Sequence, residues 1–139
     1  MSGNLIMKNS PREWDSSIKL KDHQFAVDIC SGEVNTSCVN AKVQNNILAG
    51  GKGGGWLIPA GDCTTESVSE EYFKNNVVHS LEVGLILHID QAKGAGMCGL
   101  LKNNLIHHNW EIGLFSTFAF SKLVLKNNVL VENGATFHL

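Results

Sequence analysis

Four copies of one short formula, "VQNNIL" (43–48), "FKNNVV" (73–78), "LKNNLI" (101–106) and "LKNNVL" (125–130), constrain the fold of this chain more than any other feature. In each, an apolar and a polar residue precede an Asn-Asn pair, and two aliphatic residues follow it. The first asparagines fall at 45, 75, 103 and 127, so successive copies are 30, 28 and 24 residues apart. A glycine (Gly55, Gly84, Gly113) follows the first three pairs by 10, 9 and 10 residues and is read as opening an apolar strand, in "GGWLI", "VGLIL" and "IGLFS". From each glycine to the next pair the distance is 20, 19 and then 14 residues. Half of the repeat keeps its length while the other half varies, as expected of a rigid unit joined by loops.

Helical repeats need Leu and Ala at 3.6-residue spacing without Asn and Gly breaking each unit. Here the apolar runs are short and partly alternate, as in "QFAVDI" (Phe25, Val27, Ile29) and "CVNAKV" (Val39, Ala41, Val43), which is strand behaviour. The expectation is therefore an all-β chain, a right-handed parallel β-helix of the pectin-lyase-like kind, with roughly four to five coils. Its repeats lie near 43–58, 73–89, 101–118 and 125–139, with 1–40 as a weaker coil or cap. With 139 residues, 43% of them apolar and 17% charged, the chain reads as a single domain.

Stacked coils place each residue about 4.8 Å above its copy, so an inward asparagine can bond to the copies above and below it through its amide donor and carbonyl acceptor. Successive strand residues point opposite ways, so one Asn of each pair is expected inside and the other at a corner, where Asn tolerates positive φ. Asn46, Asn76, Asn104 and Asn128 are the expected ladder, because Leu48, Val78, Ile106 and Leu130, two residues on, would share their face.

The formal charge of −2, with lysines spread singly, gives no basic stripe for nucleic acid. No apolar run approaches the ~20 residues that span a bilayer, so this segment is not expected to insert in a membrane. The amino terminus lacks the pattern of a secretion signal. "GGKGGGW" (50–56) lacks the Lys-Ser/Thr end of a phosphate-binding loop and reads as a tight corner; no cofactor is expected.

"NNILAGGKGGGWLIPAGDC" (45–63), "FKNNVVHSLEVGLILHI" (73–89) and "GLFSTFAFSKLVLKNNVLVENG" (113–134) together resemble the parallel β-helix region of the fibrocystin and fibrocystin-L family, over about residues 40 to 134. The resemblance implies an extracellular or cell-surface module of a larger, receptor-like membrane protein, with a protein or glycan ligand. The family's wider relatives include hyaluronan-degrading proteins, which implies a carbohydrate-active module as the alternative. Relative to that family the chain reads as a fragment whose last coil leaves a β edge open, and self-association through that end is expected. Cys30, Cys38, Cys63 and Cys98 show no metal-binding spacing. In an extracellular domain Cys63 and Cys98 could bridge neighbouring coils and Cys30 and Cys38 could close a small loop; in a cytosolic chain all four would be free thiols. Asn35 begins an "NTS" glycosylation sequon.

His79 and His107 both occupy the fifth position counted from the first Asn of their repeats, so stacking brings them together with His108 beside them. Such a group is a weak candidate for a metal or for general-base chemistry; an outward strand position where any residue serves, as Ala49 and Val131 do, is the plainer reading, and it makes the histidines the least constrained residues of their stretch. Carboxylates expected of a polysaccharide-cleaving β-helix do not align, since Asp62, Asp90, Glu111 and Glu132 fall at different offsets and Glu70 and Glu71 sit in a polar loop. Trp14 and Trp110 are candidate sugar platforms or corner packing. A non-enzymatic interaction module is the expectation that results.

Overall fold

A computed structural model describes residues 1–9, 25–28, 42–59, 73–88, 100–116 and 124–138. The described residues contain strands and bends and no helix. Their strands are β1 (Leu5–Asn9), β2 (Phe25–Asp28), β3 (Val43–Gln44), β4 (Ile47–Gly51), β5 (Gly54–Pro59), β6 (Phe73–Lys74), β7 (Val77–His79), β8 (Val83–His88), β9 (Leu100–Lys102), β10 (Leu105–His107), β11 (Ile112–Ser116), β12 (Val124–Lys126), β13 (Val129–Val131) and β14 (Ala135–His138). They form three sheets, here sheet I (β3, β6, β9, β12), sheet II (β1, β4, β7, β10, β13) and sheet III (β2, β5, β8, β11, β14), in each of which spatial order follows chain order. Every paired strand is parallel to its neighbour.

The chain thus visits sheets I, II and III in turn, and each visit lies on the one before it as a tier. Segments 60–72, 89–99 and 117–123, which join sheet III to the next tier and carry the length variation of the repeat, lie outside the described residues, as do Cys30, Cys38, Cys63, Cys98, Asn35, Arg12, Trp14, Asp62, Glu70, Glu71 and Asp90.

The Asn-Asn pair makes the bend between sheets I and II. Asn45, Asn75, Asn103 and Asn127 all adopt left-handed backbone, with φ of 56°, 56°, 55° and 55°, a region that Asn enters more readily than most side chains. Asn46, Asn76 and Asn104 are buried and bonded in one direction. Asn46 donates its backbone N–H and its Nδ2 to Asn76 Oδ1, both at 3.0 Å. Asn76 does the same to Asn104 Oδ1 at 2.9 and 3.2 Å, and Asn104 to Asn128 Oδ1 at 2.9 and 2.8 Å. The second Nδ2 hydrogen of Asn76, Asn104 and Asn128 goes back to the carbonyl of Val43, Phe73 and Leu101. Each of these side chains therefore satisfies backbone groups that a dry interior would leave unpaired.

The weak first coil of the sequence reading is a tier built to the same plan. Asn4 donates its N–H and Nδ2 to Asn46 Oδ1, at 3.1 and 3.0 Å, and Gly3, at φ 68°, stands where later tiers have the outer Asn. Ser2 bridges to Gln44 in parallel, so the first nine residues cover sheets I and II. A second, outer ladder runs along the exposed asparagines: Asn75 Nδ2 donates to Asn45 Oδ1 and Asn103 Nδ2 to Asn75 Oδ1, both at 3.2 Å.

Inside the stack, aligned positions become apolar columns. Val43, Phe73 and Leu101 line sheet I. Leu48, Val78 and Ile106 line sheet II. Trp56, Leu85 and Leu114 line sheet III. All are buried in one cluster, each large side chain contributing about 1.5 to 3 kcal/mol by removal from water. Trp56 packs edge-on to Phe73 with ring centroids 5.7 Å apart, and its Nε1–H has no partner among the described residues.

The glycine landmarks need correction. β5, β8 and β11 begin one residue earlier, at Gly54, Val83 and Ile112, and the glycines are their second residues. What these positions require is a missing side chain: a Cβ on Gly55 would collide with the Gly84 carbonyl oxygen, and one on Gly84 would lie 2.7 Å from that of Gly113 and 2.8 Å from Asn109 Nδ2. The glycine column leaves room for the side chains at the bend between sheets II and III.

Replacing the inner Asn104 by Ala strands the Asn76 N–H and the Phe73 carbonyl, and should cost about 3 kcal/mol or more, at 1 to 3 kcal/mol for each buried unsatisfied group. Asn103→Gly, which keeps the left-handed backbone, should change stability by less than about 1 kcal/mol. Urea unfolding of the two variants beside the parent chain measures both.

Candidate functional site

The outer face of sheet II combines the most unusual features of the described surface. Strand alternation turns the residue after each Asn pair outward, and register stacks those residues: Leu5 over Ile47, Ile47 over Val77, Val77 over Leu105 and Leu105 over Val129. Four of the five are exposed, and Val77 is partly so. The result is an aliphatic stripe, one residue per tier, running roughly 20 Å at about 4.8 Å per tier. Single exposed aliphatics are ordinary, whereas a contiguous line of them is uncommon on a folded surface.

Two residues further along each strand lies a parallel column, with Ala49 beside His79, His79 beside His107 and His107 beside Val131. The imidazoles of His79 and His107 stack with centroids 4.8 Å apart and planes 18° from parallel. His107 Nδ1 and His108 Nδ1 are 2.6 Å apart. His108 Nε2 lies 2.6 Å from the Glu132 carboxylate, on an exposed pair, and His79 Nδ1 lies 3.0 Å from Ser80 Oγ. The cluster thus comprises His79, Ser80, His107, His108 and Glu132.

The second bend explains where these groups sit. Ser80, His108 and Glu132 have φ of 59°, 52° and 53°, and Gly50, at the matching place one tier earlier, has φ 74°. His108 is therefore not among the least constrained residues of its stretch: its backbone is held left-handed at a corner. Behind it Asn109 is buried and takes part in a second ladder. Asn109 donates its N–H and Nδ2 to Asn133 Oδ1, at 3.1 and 2.8 Å. Asn133 Nδ2 donates to the Ile106 carbonyl, and Asn109 Oδ1 accepts from the Leu81 N–H. One tier of stacking brings the exposed Glu132 carboxylate to His108.

A 2.6 Å contact between two ring nitrogens holds one proton. His107 and His108 cannot both carry Nδ1–H while it persists. Burial holds the His107 imidazole below its ordinary range, the neighbouring His79 and His108 act in the same sense, and Glu132 opposes them. Among the described residues no three His, Cys, Asp or Glu side chains are arranged to hold a metal ion, and no helix is long and apolar enough to cross a membrane. Trp110 is exposed at the second bend.

Sequence reasoning identified the His79–His107 stack and left four things out. The Asn4 member of the inner ladder was signalled by "GNLI" at 3–6, with Gly in place of the outer Asn. The His108–Glu132 pair follows from extending the same count one position past Val131. Of the second ladder the sequence shows only that Asn109 turns a corner as Asn133 does one coil later; the bonds between them gave no signal, because Leu81 holds that place one tier earlier. The aliphatic stripe was signalled by Ile47, Val77, Leu105 and Val129, each directly after its pair.

The depressed His107 pKa fixes the sign of a pH effect. The folded chain binds a proton at this ring less readily than the unfolded chain, so stability is fully present above the unfolded value near 6.5 and falls as pH drops through it. The melting temperature of the parent chain should decrease between pH 7.5 and 5. His107→Val, which copies Val131 of the next tier, should flatten part of that decrease; an unchanged profile would contradict the assignment. Comparison of the chain with family models, with curated proteins and with solved structures finds no match.

Proposed function

We propose that the stacked tiers are coils of a right-handed parallel β-helix of the pectin-lyase-like kind, and that this helix is a non-enzymatic binding module of a fibrocystin-like extracellular or cell-surface protein. The observation that carries the binding role is the aliphatic stripe Leu5, Ile47, Val77, Leu105 and Val129 on the outer face of sheet II. Five aligned apolar side chains held at strand spacing on a rigid stack form a preorganised contact line, which loses little ordering entropy on binding. Aliphatic groups bury well against protein surfaces, whereas a sugar ring is better matched by aromatic platforms and convergent polar groups. A protein partner is accordingly the reading adopted.

A photo-reactive residue at position 105, set against a control at the exposed corner Glu111, tests this on intact cells and matrix extracts. The reading expects a discrete cross-linked product from position 105 that is absent from position 111. It should be competed by unlabelled parent chain but not by Val77→Asp with Leu105→Asp. Equal labelling at both positions, or competition by the double variant, would overturn it. Shortening of hyaluronan or pectin by the purified chain, abolished in His107→Ala, would replace it with the carbohydrate-active alternative, in which the Glu132, His108 and His107 chain supplies a base.

A further inference from the structure

One pair of side chains has a geometry that neither the asparagine ladders nor the aliphatic stripe explains. His107 Nδ1 and His108 Nδ1 face each other at 2.6 Å, from rings whose planes stand 81° apart. Consecutive residues of a continuing strand would point to opposite faces. These two converge because His107 ends β10 and His108 turns the second bend, with φ 52°.

The neighbouring tiers hold the pair from both sides. His79 stacks on His107 with centroids 4.8 Å apart and planes 18° from parallel, which sets the plane of the His107 ring. The Nδ1 of His79 is itself engaged with Ser80 Oγ at 3.0 Å, so His79 supports the pair without joining it. In the next tier the Glu132 carboxylate lies 2.6 Å from His108 Nε2. A carboxylate in that place takes the Nε2–H, and the neutral His108 ring then keeps its lone pair on Nδ1, aimed at His107. His107 is held below its ordinary range, chiefly by burial, so its ring too is neutral near pH 7.

We propose that His107 Nδ1 and His108 Nδ1 are adjacent ligands of a copper(II) ion, with Glu132 as the outer carboxylate that orients His108. Two nitrogens at bonds of about 2.0 Å stand about 2.8 Å apart along the edge of a square plane and about 3.3 Å apart in a tetrahedron. The observed 2.6 Å is close to the square-planar edge, the geometry of Cu(II), and well short of the tetrahedral spacing that Zn(II) prefers. Imidazole suits copper, and Cu(II) heads the affinity order of the divalent first-row ions. To admit the ion, the proton shared by the two Nδ1 atoms moves to His107 Nε2, so both rings bind as neutral imidazoles. Among the described residues no third His, Cys, Asp or Glu completes the set, and water takes the remaining corners of the plane. The site is independent of binding along the aliphatic stripe.

Titration of the whole chain, free of any histidine tag, with copper(II) sulfate against glycine as competing chelator at pH 7.5 tests the proposal. Electron paramagnetic resonance reads the ligands. One equivalent of Cu(II) should bind with an axial spectrum and echo modulation from two imidazoles. His107→Val copies Val131 of the next tier, and His108→Gly copies Gly50 at the matching place of the bend. With folding checked by circular dichroism, each should weaken binding by about tenfold or more and leave at most one imidazole, and Glu132→Gln should weaken it about tenfold while both imidazoles remain. His138→Gln should change nothing. Absence of binding by the parent chain would overturn the proposal. Affinity and modulation unchanged in both histidine variants would overturn it as well, by showing an adventitious ion only, and unchanged affinity in Glu132→Gln would overturn the orienting role of the carboxylate.

Discussion

The inner asparagine carries two duties that no other side chain combines at this place. At the bend between sheets I and II the backbone N–H of Asn46, Asn76 and Asn104 has no strand partner, and the side-chain oxygen one tier on accepts it. The same oxygen accepts the Nδ2 of the residue it serves, and its own amide nitrogen returns a hydrogen to a carbonyl of the tier before. An aspartate would supply acceptors without donors, a serine too few of either, and a glutamine would overreach a spacing of about 4.8 Å. Once this ladder is in place the bend is fixed, the register of sheets I and II follows, and the apolar residues two positions on fall into buried columns.

The outer asparagine has a different role with a different tolerance. It must enter the left-handed region, and its ladder bonds are exposed. Gly3 fills that role in the first tier without an amide, so conformation rather than hydrogen bonding is the requirement there. At the second bend the left-handed position passes through Gly50, Ser80, His108 and Glu132. The bend geometry is kept there while the side chain is free to vary in chemistry, and in two successive tiers that freedom brings His108 against Glu132.

Much of this was legible because a stacked fold writes its geometry as a period. The Asn pairs gave the bend, the inner ladder and the His79–His107 contact, since a count along the chain is a count across the sheet. Legibility failed where the period changed. Tier one uses Gly-Asn in place of Asn-Asn, and the second bend loses a residue from one tier to the next, so that Ala49 pairs with His79 but Gly54 with Val83. The outward aliphatics belong to the same runs as the inward ones, and only alternation from the buried asparagine separates Leu105 from Ile106. The strand starts were misplaced by one residue because the glycines mark a close approach of tiers, not the beginning of pairing.

Hydrogen exchange at the Asn side-chain and backbone amides, followed residue by residue by NMR, tests the central role of the ladder most directly. If the ladder organises the stack, Nδ2 and backbone protons of Asn46, Asn76 and Asn104 should be among the slowest in the chain, exchanging with the core amides of Leu48, Val78 and Ile106. The Nδ2 protons of Asn45, Asn75 and Asn103 should exchange far faster. Inner and outer asparagine side chains exchanging at the same rapid rate, while the core amides stay protected, would contradict the account.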